Sequence, residues 1–168
     1  KSPIGLLLED KILGEDIKIS RIKRNSSVKE HIVSPHYRLT SFEVTYNELN
    51  LKFKGNYGII FRAYNEGIAY RFYTTMKGPL IIKDEMVQMN FPKDYPTFMS
   101  YSTMPTGEDQ YAMAFQNLYT KSSIKGVDTN NIAFLPITID CGNELKMTLL
   151  ESDLEDYPGM FIKGDGKN

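Results

Sequence analysis

The run from Tyr57 to Tyr73, "YGIIFRAYNEGIAYRFY", constrains the fold more than any other part of the chain. Two aromatic and β-branched stretches flank Asn65-Glu66-Gly67, and Gly67 can take a positive φ without a Cβ clash. The pattern predicts a bulged hairpin with strands near 57–64 and 68–75. A second run repeats the logic: Ile137 and Ile139 alternate into Gly142-Asn143, and Leu145, Met147 and Leu149 alternate out of it. In "FEVTY" the apolar set is Phe42, Val44 and Tyr46, whereas in "LNLKF" it is Leu49, Leu51 and Phe53. That change of phase predicts a bulge or tight turn at Asn47-Glu48.

No segment holds a helical period for more than a short turn. The interval Phe91–Gln110, punctuated by Pro92, Pro96 and Pro105, reads as a long connection. Eleven tyrosines and 9 phenylalanines suit half-buried sheet faces. Many short strands with turn punctuation predict an all-β fold, an antiparallel two-sheet β-sandwich of the super-sandwich type. At 168 residues the chain is long enough to bury a core as one domain over 1–168.

The formal net charge of −1 gives no electrostatic reason to bind nucleic acid or an anionic membrane surface. Cys141 is the only cysteine, so neither an intramolecular disulfide nor a zinc site of paired thiolates is implied. No apolar run is long enough for a membrane-spanning helix, and "KSPIGLLLED" is too short in its apolar part for a signal peptide. The first residue is not Met and the last ones, "GDGKN", are polar, so both ends are read as cut ends of a longer protein.

His31 and His36 lack a helical context and read as surface residues rather than ligands or general bases. Serines never fall in a G-x-S-x-G elbow and no glycine-rich phosphate loop occurs, which removes support for hydrolase nucleophiles and nucleotide sites. Arg62 and Arg71 sit within the aromatic hairpin, where a guanidinium stacks on tyrosine or pairs with a carboxylate. The Asn25-Ser26-Ser27 sequon is too short a pattern to carry weight.

The stretch "LLESDLEDYPGMFI" gathers Glu151, Asp153, Glu155 and Asp156 before a Tyr-Pro-Gly turn. Asp153, Glu155 and Asp156 read as a solvated loop. Glu151 differs because it continues the alternation of Leu145, Met147 and Leu149. A carboxylate on an apolar face needs an arginine, a hydrogen-bond network or a hard cation.

"YNEL", "IIFRAYNEGIAYRF", Asp84-Glu85 and "ESDLEDYPGMFI" together resemble the N-terminal domain of glycoside hydrolase family 97, bacterial α-glucosidases and α-galactosidases, from about Gly5 to Ile162. The resemblance implies a β-sandwich preceding a (β/α)₈ catalytic barrel of the same polypeptide, which this chain lacks. It also implies calcium near the catalytic carboxylates, with Glu151 matching the glutamate that the N-terminal domain lends to the metal. Leu150 stands where the family pattern has threonine. Periplasmic or outer-membrane-associated localisation is implied in the same way.

The expected function is therefore a non-catalytic module of a calcium-dependent glycoside hydrolase acting on α-glucosides or α-galactosides, with the α-linked sugar at the domain boundary. No catalytic or cofactor-binding residue is assigned within the chain, and Glu151 is the one metal ligand expected. The acids of 151–156 crowd one loop, whereas glycoside hydrolysis needs two carboxyl groups on opposite sides of the scissile bond. The rival reading is a stand-alone carbohydrate-binding or adhesion sandwich using exposed tyrosines such as Tyr95 and Tyr101 as sugar platforms.

Overall fold

The computed structural model describes residues 3–34, 38–104, 108–112, 116–152, 154 and 157–166. All regular structure among them is β, and every strand pairing is antiparallel. The chain divides into two compact units, Ser2–Gln88 and Met89–Asn168. Among the described residues no helix is long and apolar enough to cross a membrane.

The first unit contains β1 (Ile4–Leu8), β2 (Ile12–Leu13), β3 (Ile19–Val33), β4 (Ser41–Phe53), β5 (Tyr57–Ala63), β6 (Ile68–Thr74) and β7 (Ile82–Val87). They form one sheet in the order β2-β1-β7 and another in the order β3-β4-β5-β6. Leu6, Leu8 and Leu13 of the first sheet meet Phe53, Tyr57 and Ile59 of the second in one buried cluster. Burying each such large side chain contributes roughly 1.5–3 kcal/mol, so this two-sheet sandwich is held by its centre. The Tyr70 hydroxyl also reaches the Glu85 carboxylate, at 3.4 Å, from one sheet to the other.

The 57–74 hairpin forms as the alternation predicts, with a correction at its turn. The Tyr64 N–H donates to the Gly67 carbonyl at 2.8 Å. Gly67 is not among the glycines with positive φ, so a residue with a Cβ meets no backbone bar there. The expected bulge also moves to the neighbouring strand. β4 runs unbroken through Asn47-Glu48, and the register shift lies in β3 between Asn25 and Val28, directly across the ladder. The change of phase has a simple cause: Leu51 and Phe53 face the core where β5 and β6 complete the sheet, whereas Phe42, Val44 and Tyr46 lie in the half of the β3–β4 hairpin beyond β5.

The second unit holds β8 (Pro96–Tyr101), β9 (Thr120–Ser123), β10 (Ala133–Gly142), β11 (Leu145–Leu149) and β12 (Phe161–Ile162). Its sheet runs β11-β10-β8-β9, with β12 also on β10. β8 overturns the expectation of a long connection at 91–110: Pro96, unable to donate to a ladder, opens the strand, and the following residues pair on both sides. The β10–β11 turn has positive φ at Asn143 and Glu144, the conformation that two-residue hairpin loops require. Met99, Val127, Ala133, Ile137 and Ile139 form the core of this unit.

Candidate functional site

β11 ends at Leu149, and Glu151 leaves the strand path that the alternation projects. Its half-buried carboxylate turns to the Met160 N–H, which donates at 2.8 Å to Oε1 and 2.9 Å to Oε2. Ile139 pairs with both Thr97 of β8 and Met147 of β11, and Ala133 pairs with both Tyr101 of β8 and Ile162 of β12. Thus β11 and β12 follow one another along the same edge of β10. Glu151 spans the base of the 150–160 segment that joins them. Gly159 lies beneath it: a Cβ there would stand 3.4 Å from Oε1.

Asp153, Glu155 and Asp156 lie outside the described residues, as does His36. Among the described residues no three His, Cys, Asp or Glu side chains converge as a metal site. One shared N–H leaves most lone pairs of the Glu151 carboxylate unengaged by it, and a carboxylate is the donor calcium prefers. The residue therefore fits the role of one ligand among several. Calcium takes 6–8 oxygens, so a complete site needs donors beyond those described.

Several other residues of the quoted motifs make cross-strand contacts within the first unit. Tyr46 and Glu48 of "YNEL" receive Arg62 of "FRAYNEG": the guanidinium lies 4.2 Å from the Tyr46 ring centroid, and its Nε–H donates to Glu48 at 3.1 Å. Asn25 donates to the other Glu48 oxygen, and the Tyr46 hydroxyl donates to Glu30. Burial, reinforced by the Glu30 bond, raises the Tyr46 pKa. Burial works against the Arg62 charge, but bonds with Tyr64 and Glu48 outweigh it and raise its pKa. Arg62 thus both stacks and pairs, and Arg71 is exposed.

His31 has neighbours that its sequence position did not reveal. Its Nε2 lies 3.0 Å from the Ser41 hydroxyl and its Nδ1 contacts Glu43. A serine, a base and an orienting carboxylate stand in order, but His31 and Glu43 are mostly exposed. They line neither the roughly 390 Å³ concavity beside Arg24, Leu49, Phe61 and Ile68 nor the roughly 220 Å³ one beside Gln110, Tyr111 and Lys163. Nucleophilic chemistry requires a reacting carbonyl to be held and its oxyanion stabilised, so the trio reads as a cross-strand surface network. Tyr95 and Tyr101 are not exposed sugar platforms: both pack against the second unit's core, and the Tyr101 hydroxyl accepts from the Asp128 N–H.

The family described as Glycosyl-hydrolase 97 N-terminal matches residues 1–168. The chain belongs to that family. The retaining alpha-galactosidase of Bacteroides thetaiotaomicron is 37% identical over 174 residues, covering 99% of this chain and 26% of that protein. A variant of a glycoside hydrolase family 97 enzyme from Pseudoalteromonas sp. strain K8 superposes with a TM-score of 0.74 at 16% identity, over 96% of this chain and 25% of that one. A glycoside hydrolase family 97 enzyme from the same strain, in complex with acarbose, gives a TM-score of 0.73 at 16% identity, with the same shares covered. The fold is that of the N-terminal domain of these enzymes, and the chain spans about a quarter of the length of the relatives it matches.

Among the contacts at this site, the sequence left Met160 and Gly159 unassigned. The signal was the Tyr-Pro-Gly-Met string after the acids, whose Met160 N–H donates to the carboxylate and whose Gly159 leaves room beside it.

Proposed function

We propose that this chain is the N-terminal module of a calcium-dependent glycoside hydrolase acting on α-glycosides, packing on the catalytic barrel that follows it and lending Glu151 to the metal. The 37% identity to a retaining alpha-galactosidase across 99% of the chain carries this reading and weights it toward α-galactosides. Glu151 supports it as a carboxylate already oriented by the Met160 N–H. Calcium, when bound, supplies positive charge that stabilises developing negative charge. The chain's own part is to present one oxygen donor at a fixed position and to wall the sugar site. Periplasmic or outer-membrane-associated residence accompanies this reading.

The test is activity against free calcium in the full-length parent. Glu151→Gln keeps an oxygen donor but loses the charge, so it should raise the calcium requirement and lower activity. Asp153→Asn and Asp156→Asn should leave the calcium curve near wild type. An unchanged Glu151→Gln curve, or a larger shift from either aspartate variant, would show that the metal ligand is assigned wrongly.

A further inference from the structure

The sheet β3-β4-β5-β6 turns one face to the core of its unit and leaves the other open. Lys52 alternates with Leu51 and Phe53 of the core, and Gly58 alternates with Tyr57 and Ile59, so Lys52 and Gly58 lie on the open face. The register carries that face across all four strands in two adjacent rows, Arg21-Lys52-Gly58-Tyr73 and Lys23-Asn50-Ile60-Arg71. Arg21, Lys23, Lys52 and Arg71 are exposed, and none of them makes an ion pair among the described residues. The two rows hold no acid, although the chain has 21 Asp and Glu to 20 Lys and Arg. Protection of sheet edges accounts for cations on β3 and β6, but Lys52 stands on an inner strand. Solubility is served by charges of both signs interspersed, so it does not account for a patch of one sign.

The patch has an aromatic centre. Gly58 carries no side chain and the Tyr73 ring takes its place, so that a Cβ at 58 would stand 2.5 Å from the ring. The Tyr73 hydroxyl donates to Asn50 Oδ1 at 2.9 Å, which leaves the Asn50 amide N–H groups to donate elsewhere. Arg21, Lys23 and Lys52 stand about 5–7 Å apart at their backbones, the spacing of neighbouring strands and of alternate residues. We propose that this face binds an acidic polysaccharide, a chain of sugar rings bearing uronate or sulfate groups, and so holds polymeric substrate at the parent enzyme. Unpaired charge of one sign names an anion. Neither concavity described above includes any of these residues, so the surface suits an extended chain rather than an enclosed small molecule. An aromatic ring beside amide donors offers stacking and hydrogen bonds to sugar rings between the charges. The choice of a glycan over a polynucleotide rests on the proposed role in a glycoside hydrolase, and it adds a surface and a charge class to that role.

The experiment measures binding of the full-length parent to polygalacturonate, dextran sulfate, neutral galactomannan and single-stranded polythymidylate over a range of salt concentrations. At least one of the two acidic polysaccharides should bind more tightly than galactomannan, with an affinity that falls as salt rises, and the two arms tell uronate from sulfate recognition. The double variant Lys52→Gln, Arg71→Gln should weaken that binding by at least about tenfold. Lys11→Gln with Lys83→Gln, which makes the same change in net charge in the β2-β1-β7 sheet, should leave it within about twofold. No preference for the acidic glycans, equal loss in the two double variants, or polythymidylate binding as tightly as either glycan would overturn the proposal. Hydrolysis of a small aryl α-galactoside separates this outcome from the hydrolase reading. A Lys52, Arg71 variant that hydrolyses it as wild type does but no longer binds the acidic glycan supports the surface, whereas a parent that binds the glycan and hydrolyses no α-glycoside discards the hydrolase reading alone.

Discussion

The guanidinium of Arg62 covers the Tyr46 ring while its Nε binds Glu48, so one side chain closes a buried aromatic and neutralises a largely buried acid at the same time. Arg62→Lys keeps the charge but loses the planar stack and the fixed Nε–H. It should lower stability by about 1–2 kcal/mol in urea denaturation, combining the loss of a cation–π contact with that of a charged hydrogen bond. A loss below about 0.3 kcal/mol would mean that the network stabilises the fold no more than an exposed ion pair does.

Gly58 lies under Tyr73. A Cβ at position 58 would stand 2.4 Å from the Leu51 carbonyl oxygen and 2.5 Å from the Tyr73 ring, which is itself held by a 2.9 Å bond to Asn50. The side chain can swing away but the carbonyl cannot. Gly58→Ala should cost about 1–3 kcal/mol, with Tyr73 displaced from Asn50. A thermal melt matching wild type would refute this, because it would require the β4–β5 ladder to widen without loss.

Asp128 accepts from the N–H groups of Asn130 and Asn131, at 2.7 and 3.1 Å, and from the Asn131 amide. These bonds hold its carboxyl below the usual carboxylate range. A depressed folded value means that the stabilisation is full above the unfolded pKa, about 3.9, and is lost as pH falls through the lower folded value. Stability should therefore decline below about pH 4, and Asp128→Asn should flatten part of that decline. Urea midpoints at several acidic pH values provide the check; parallel profiles for wild type and variant would rule Asp128 out as a contributor.

The two hairpins were legible because aromatic and β-branched residues recur along their strands and their turns carry glycine and asparagine. β8 was not legible. Its most buried residues include Thr97 and Ser100, both with no exposed surface, so a central strand presented a polar sequence opening on proline. The Ser100 hydroxyl recovers a partner in the Asn117 carbonyl, a contact that no local pattern announces. β3 was hidden for the opposite reason: its side chains are almost all exposed or half-exposed, and "ISRIKRNSSVKEHIV" gives no alternation to read. Glu151 stood out as an acid on an apolar alternation, but its partner is a backbone N–H nine residues away. Side-chain chemistry alone cannot point to such a donor.

The extra residue of β3 opposite Asn47 bears on how the long hairpin finds its alignment. With so little of β3 buried, hydrophobic contacts alone would allow the strands to slide by two residues and keep every side chain on its face. Ser27 breaks that degeneracy. It adopts a φ of 52° and donates its N–H to the Asn47 side chain at 2.9 Å. A slipped alignment would set this left-handed residue against a neighbour without that acceptor, leaving its N–H without a protein partner. The irregularity therefore acts as a vernier mark, fixing the alignment of the ribbon independently of the core on which its far end rests.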